Sequence, residues 1–237
     1  MKKKVVIITG ASMGIGRAVA LALAENGFKV VLAARNKELL QDLKVKIDQN
    51  GGDALIIPTD VSDEESVKSL IQKTLEHHGS LDILVNNAGV GRFARADEFN
   101  VEDYNYMFDV NVKGVFLTTR YTVPHMISKK AGQIINIASV AGKTGFKSGT
   151  LYAASKHAVV GYTWSLREDL KEFGIKVSVV CPGSVVSGFG GKEPYYVEWS
   201  LEPDDVANAV MYLVNESDTA NTAEMIVKPR YNPRNVN

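Results

Sequence analysis

Val5-Val6-Ile7-Ile8-Thr9-Gly10-Ala11-Ser12-Met13-Gly14-Ile15-Gly16 is the stretch from which the rest of the chain can be read. Four apolar, β-branched residues run into a glycine-rich turn, and an apolar helical pattern follows from Ile15 to Asn26. A strand that feeds a helix through such a turn is the setting in which a dinucleotide pyrophosphate is held. Gly10 permits the tight turn, Gly14 lets backbone approach phosphate with no Cβ in the way, and Gly16 allows close helix packing. The helix N-terminus favours the anion, and Ser12, Met13 and Ile15 complete the expected cradle. The spacing is G-x-x-x-G-x-G, not G-x-G-x-x-G, so the turn alone is also compatible with a plain strand-to-helix connection.

Working outward, the same alternation repeats along the chain. Short β-branched runs fall at Val5 to Thr9, Lys29 to Ala34, Ala54 to Pro58, Ile83 to Asn86, Gln133 to Ala138, Lys176 to Val180 and Met225 to Val227. Helical patterns lie between them, near Ile15 to Asn26, Glu38 to Gln49, Glu64 to His78, Val101 to Ser128, Leu151 to Phe173 and Asp204 to Asn215. This is the pattern of an α/β fold: a single-domain, Rossmann-like, doubly wound sheet of about seven parallel strands. The strands are continuous apolar runs, which predicts helices on both faces. Ser62, Asp63 and Pro203 are helix-start chemistry, and Gly27, Gly51, Gly79 and Gly174 are helix-stop chemistry.

The 237 residues, 45% hydrophobic and 23% charged, suit one globular domain spanning 1–237. A chain of this length buries roughly 70 to 75% of its unfolded surface, enough for one core without metals or disulfides. Lysines and arginines number 27 and acids 27, so no net field draws in nucleic acid or anionic lipid. Met1-Lys2-Lys3-Lys4 before the first apolar run imitates a signal peptide, but Thr9, Gly10, Ser12 and Arg17 interrupt it too early. No membrane association is expected, and the lone Cys181 fits a cytoplasmic setting. His77, His78, His125 and His157 make no convincing metal cluster, so no metal is expected. Residues 188–200, with Phe189, Pro194, Tyr195, Tyr196 and Trp199, break the rhythm and read either as a substrate lid or as a surface loop whose aromatics pack on the body.

Two further patterns carry chemistry. At the end of the second strand, where an acid would bind a free ribose 2′-hydroxyl, the chain reads Ala33-Ala34-Arg35. A small residue followed by a guanidinium suits a 2′-phosphate, so NADP(H) is expected over NAD(H), unless Arg35 is simply a solvated charge. In Tyr152-Ala153-Ala154-Ser155-Lys156, a phenol and an ammonium stand one helical turn apart. A phenol titrates near 10 and is a poor acid-base catalyst at neutrality, and an adjacent cation lowers that barrier.

Taken with TGASMGIG at 9–16, Asp60, NNAG at 86–89, Asn111, Ser139 and Pro182-Gly183, the YAASK segment makes the chain resemble the short-chain dehydrogenase/reductase family over essentially its whole length. The resemblance implies a catalytic set of Asn111, Ser139, Tyr152 and Lys156. Tyr152 would be the general acid/base, and Lys156 would lower its pKa and hold the nicotinamide ribose. Ser139 would bind the substrate oxygen, and Asn111 would position a water connecting Lys156 to solvent. Asp60 and Val61 would flank the adenine, Asn87, Ala88 and Gly89 the adenosine, and Pro182, Gly183, Val185 and Ser187 the nicotinamide. Ser187 stands where the family often has threonine, and Met13 occupies a variable position.

The implied reaction is NADPH-dependent reduction of a ketone or aldehyde. The alternative is a 3-oxoacyl-[acyl-carrier-protein] reductase, for which Arg92 and Arg95 could meet an acidic carrier. A non-catalytic NADP sensor is the remaining reading, and the intact four-residue set argues against it. A homodimer or homotetramer is implied by the family.

Overall fold

The computed structural model describes residues 3–187, 189 and 199–230. The strands are β1 (Val5–Thr9), β2 (Lys29–Ala34), β3 (Asp53–Pro58), β4 (Ile83–Asn86), β5 (Gly132–Ile137), β6 (Ile175–Pro182) and β7 (Glu224–Val227). They form one sheet in the order β3-β2-β1-β4-β5-β6-β7, with every pairing parallel. From β1 the chain first adds strands in one direction, to β3, and then returns to the other side of β1 with β4. That reversal opens a crevice beyond the carboxyl ends of β1 and β4, where open α/β sheets bind ligands.

The helices are α1 (Gly14–Glu25), α2 (Lys37–Gln49), α3 (Glu64–His78), α4 (Val101–Phe108), α5 (Gly114–Lys129), α6 (Thr150–Leu170) and α7 (Pro203–Val214). β1 shows why both faces need cover. Val6 and Ile8 pack with Val19 and Leu23 of α1 and Val206 and Val210 of α7, while Val5 and Ile7 pack with Leu70 and Ile71 of α3 and Met126 of α5. All five β1 residues are buried, as a continuous apolar run in a parallel sheet requires. The helix-stop glycines Gly27, Gly51, Gly79 and Gly174 take φ between +68° and +82°, and Asp63 caps α3 by accepting from the Ser66 amide at 2.7 Å.

One expected element is divided. The apolar period from Val101 to Ser128 predicts one helix, but residues Asp109–Lys113 form a π turn between α4 and α5. There the Gly114 amide reaches back five residues to the Asp109 carbonyl. A single widened turn leaves the apolar stripe almost undisturbed, so periodicity does not register it. Asn111 sits in this turn.

Beneath the crevice, a buried polar chain ties sheet to helices. Asn86 Nδ2 donates to Asn136 Oδ1 at 2.9 Å, Thr118 of α5 donates to Asn86 Oδ1 at 2.7 Å, and Asn136 Nδ2 donates to Thr163 of α6 at 2.9 Å. Of the proposed lid, residues 188 and 190–198 lie outside the described residues, as does the tail 231–237. Among the described residues no helix is long and apolar enough to cross a membrane.

Candidate active site

The glycine turn is held by the loop after β4. The Asn87 side-chain amide donates to the carbonyls of Thr9 (2.9 Å) and Gly10 (3.2 Å), and the Thr9 hydroxyl accepts from the amides of Asn87 and Ala88, both at 3.0 Å. This approach leaves no room for side chains. A Cβ on Gly10 would lie 2.9 Å from the Ala88 Cα, and one on Gly16 would lie 2.2 Å from the Gly10 carbonyl oxygen. Gly10 and Gly14 also take positive φ, +66° and +53°. At Gly14 the nearest neighbour is Ser187, so the phosphate turn and the expected nicotinamide loop meet there.

This turn fits the anion of a dinucleotide. α1 begins with no side-chain cap at Met13 and no acid in its first turn, whereas α2, α3 and α4 are capped by Asn36, Asp63 and Asn100. Its first amides therefore face the crevice without a side-chain acceptor, the arrangement that favours phosphate. Ser12 and Ile15 are half-buried in the turn, and Met13 is exposed.

Along the neighbouring strand ends, Ala34 is buried at the end of β2 and Arg35 follows it, exposed. Asp60, just beyond β3, is part-buried and accepts from the Ser62 amide (2.9 Å) and hydroxyl (2.6 Å). Burial works to raise its pKa, but the Ser62 hydrogen bonds and the charges of Arg35 and Lys113 outweigh it and hold the carboxyl below its ordinary value. Arg35 and Asp60 are thus electrostatic neighbours beyond the ends of β2 and β3. Val61 is buried against Gly114.

At the other end, Asn111, Ser139, Tyr152 and Lys156 are brought together from the π turn, the end of β5 and α6. Asn111, 1% exposed, accepts from the Val90 amide (2.8 Å) and donates to the Val90 carbonyl (2.9 Å) and Ser155 Oγ (3.0 Å). Ser155 in turn donates to the Tyr152 carbonyl at 2.8 Å. Lys156 donates to the Ile137 carbonyl at 3.1 Å, and Gly89 lies between it and Asn111, each 3.4 Å from where a Cβ would stand. Ser139 accepts from the Ala141 amide (3.1 Å), donates to the Pro182 carbonyl (3.4 Å) and is near enough to the Tyr152 phenol to act on its titration. Gly183 continues β6 by donating to Val227 at 2.7 Å, and Val185 bridges to Leu201.

Burial pushes the Tyr152 phenol up to about 12, the Ser139 hydroxyl pulling the other way. Burial also pushes Lys156 down to about 8, opposed by Cys181. The direction at Tyr152 is opposite to the lowering expected from an ammonium one turn away. The reason is distance and surroundings: Lys156 Nζ lies 5.9 Å from the centre of the Tyr152 ring and is engaged by Ile137, while three phenylalanines enclose the phenol. By surface area Tyr152 is only half-buried, so part of the ring is reachable while its surroundings are apolar. Near neutral pH the phenol therefore holds its proton and Lys156 is mostly charged.

The enclosing rings, Phe93, Phe146 and Phe189, stand 5.5, 6.4 and 5.6 Å from Tyr152, centre to centre. Of these only Phe189 is singled out by sequence, because Phe93 and Phe146 lie on loops with no period. The adjacent glycines Gly91 and Gly149 were the available signal, since each is packed against by one of the rings. Ser155, which links Asn111 to the Tyr152 backbone, was also missed. Arg92 is ion-paired with Asp103 and lies over the Tyr106 ring, and Arg95 is paired with Asp97 and Glu98, so neither is a free cation.

Comparison with known proteins gives the family. Residues 4–194 match the family model described as short chain dehydrogenase. An uncharacterised oxidoreductase of Staphylococcus aureus (strain USA300) is 38% identical over 226 residues, covering 95% of this chain and 97% of the relative. Among solved structures, an alcohol dehydrogenase from the archaeon Thermococcus sibiricus, complexed with 5-hydroxy-NADP, superposes with a TM-score of 0.92 at 30% identity, covering 97% of this chain and 98% of the other. A 3-ketoacyl-(acyl-carrier-protein) reductase from Brucella melitensis, complexed with NADH, superposes with a TM-score of 0.87 at 29% identity, over 94% and 96% of the two chains.

Proposed function

The chain belongs to the short-chain dehydrogenase family, and from that premise we propose that this NAD(P)-dependent oxidoreductase reduces a ketone or aldehyde carbonyl to an alcohol, with NADPH preferred over NADH. The observation that carries the reading is the convergence of Tyr152, set among three phenylalanine rings, with Ser139 at the end of β5 and the buried Lys156 one helical turn away.

When bound, the nicotinamide supplies hydride to the carbonyl carbon. The chain's own residues handle the oxygen. The Ser139 hydroxyl lies where it can donate to the carbonyl oxygen as negative charge develops there. Tyr152 gives up its proton to that oxygen, and a phenol held near 12 arrives at neutral pH with the proton in place. Lys156, cationic below about 8, offsets the phenolate left behind. Asn111 keeps the Tyr152 turn in position through Ser155 and the loop after β4 through Val90. The cradle of Gly10, Gly14 and Gly16 would hold the pyrophosphate, Asp60 and Val61 the adenine side, and Pro182, Gly183, Val185 and Ser187 the nicotinamide side. The exposed Arg35, with no acid on Ala34, supports a 2′-phosphate partner.

The alternative of a carrier-protein substrate is weakened because Arg92 and Arg95 are already paired with acids. A homodimer or homotetramer is supported by exposed aromatics on three helices, Tyr104 of α4, Phe116 of α5 and Trp164 of α6. Light scattering that returns a monomer overturns the assembly. For the reaction, NADPH and NADH oxidation by the purified protein is measured over diketones, aryl aldehydes, aliphatic ketones and a 3-oxoacyl thioester, with Tyr152→Phe as control. Tyrosine-dependent NADPH oxidation is expected, and tight cofactor binding with no turnover on any carbonyl would sink the reading.

A further inference from the structure

Three phenylalanines from three separate loops converge on one phenol, and two of them face solvent. Phe93 and Phe146 are 45% and 48% exposed, and their centres lie 6.0 Å apart. Large apolar side chains on a protein surface are ordinary when scattered, but an adjacent pair beside the residue assigned as general acid marks a contact surface.

Backbone leaves room for the pair. Phe146 folds over Gly149 so closely that a Cβ there would lie 2.2 Å from the Cζ of the ring. The residue between them, Ser148, takes φ +64°, a left-handed conformation that serine rarely adopts. Its carbonyl accepts from the Ala94 amide at 3.1 Å, tying the Phe146 loop to the Phe93 loop. At Gly91 a Cβ would meet the Phe189 ring at 2.5 Å and the Phe93 ring at 3.0 Å. Two glycines and one left-handed serine are thus arranged so that rings line the approach to Tyr152.

Resting on the carbonyl-reductase reading, we propose that Phe93 and Phe146 are specificity-determining residues, and that the substrate bears its carbonyl on or next to a planar aromatic ring. The ring packs against Phe93 and Phe146 while the oxygen points to Ser139 and Tyr152. An aliphatic group of equal size would also be driven onto this wall by burial. A planar ring adds the edge-to-face attraction that the three phenylalanines already make with Tyr152.

Acetophenone and cyclohexyl methyl ketone, equal in carbon number, separate the two contributions. With NADPH saturating, the wild type is expected to show a kcat/KM about tenfold higher for acetophenone, allowing for ring pairing with more than one phenylalanine. Phe93→Leu and Phe146→Leu, which keep apolar volume, should each raise the acetophenone KM by roughly threefold to tenfold. The same variants should leave butanone turnover within about twofold. Equal kcat/KM for the two ketones, or a loss that is the same for every substrate, overturns the proposal.

Calorimetric titration of both ketones into the Tyr152→Phe protein saturated with NADP+, which has no hydride to give, reads the wall without turnover. Tighter acetophenone binding there supports the wall even if the wild type reduces no carbonyl, in which case only the reaction reading fails. Tighter cyclohexyl ketone binding overturns the wall while leaving the reaction reading intact.

Discussion

Around Gly10, Gly14 and Gly16 the chain presents backbone to the crevice, whereas around Tyr152 it presents rings. Both ends of the crevice depend on glycine, for different reasons. At Gly16 a side chain would collide with the Gly10 carbonyl, which belongs to a turn clamped by Asn87 and cannot retreat. At Gly149 a side chain would collide only with the outer carbons of the Phe146 ring, which can swing away. The proposed cofactor end is rigid because amides and carbonyls make it, and the proposed substrate end is adjustable because side chains make it. A pocket wall that must suit one particular substrate can then change without disturbing the cradle.

The largest effect that bears on this contrast is at Tyr152. Tyr152→Phe should lower turnover by about a hundredfold or more, leaving NADPH affinity within a few-fold, because general acid catalysis contributes about 10² to 10⁴. Equal loss of both, measured by steady-state kinetics and fluorescence titration, would merge the two ends into one structural unit. Next in size, Ala34→Asp with Arg35→Ala should move the NADPH to NADH ratio of kcat/KM by roughly tenfold to a hundredfold, the worth of a charge-assisted contact. An unchanged ratio removes Arg35 from cofactor choice.

Gly16→Ala should weaken NADPH by about tenfold and lower Tm, while Gly149→Ala leaves NADPH affinity and Tm nearly unchanged and alters only the preference among ketones. If the two substitutions behave alike, the contrast between rigid backbone and movable ring is wrong. The smallest effect concerns pH. Lys156 is charged below about 8, so kcat/KM for reduction should be flat below that value, fall to about half near pH 8 and continue down as the ammonium is lost. Tyr152, held near 12, adds no limb in that range. A pH–rate profile that rises through 8 reverses the assignment.

The glycine turn was legible because backbone chemistry leaves a spacing. A glycine is required wherever Cβ is forbidden, and strand, turn and helix must follow in order, so Val5 to Gly16 and the parallel sheet were readable residue by residue. The substrate end left little trace. Phe93 and Phe146 lie in loops where neither period nor composition distinguishes a pocket wall from a surface residue. The pairing of Arg92 and Arg95 with nearby acids, and the rise of the Tyr152 pKa through its enclosure, depend on contacts made only after folding. The part of the aromatic segment at 190–198 lies outside the described residues.

The widened turn at Asp109–Lys113 carries an implication for anyone editing this protein. Removing one residue from it would restore an uninterrupted α-helix from Val101 to Lys129 and regain regular four-residue hydrogen bonding there. The same deletion would close the widened turn that holds Asn111 and draw its amide away from Val90 and Ser155. Thermostability and turnover would then move in opposite directions, so a screen for heat resistance alone would favour the repaired helix and discard the enzyme.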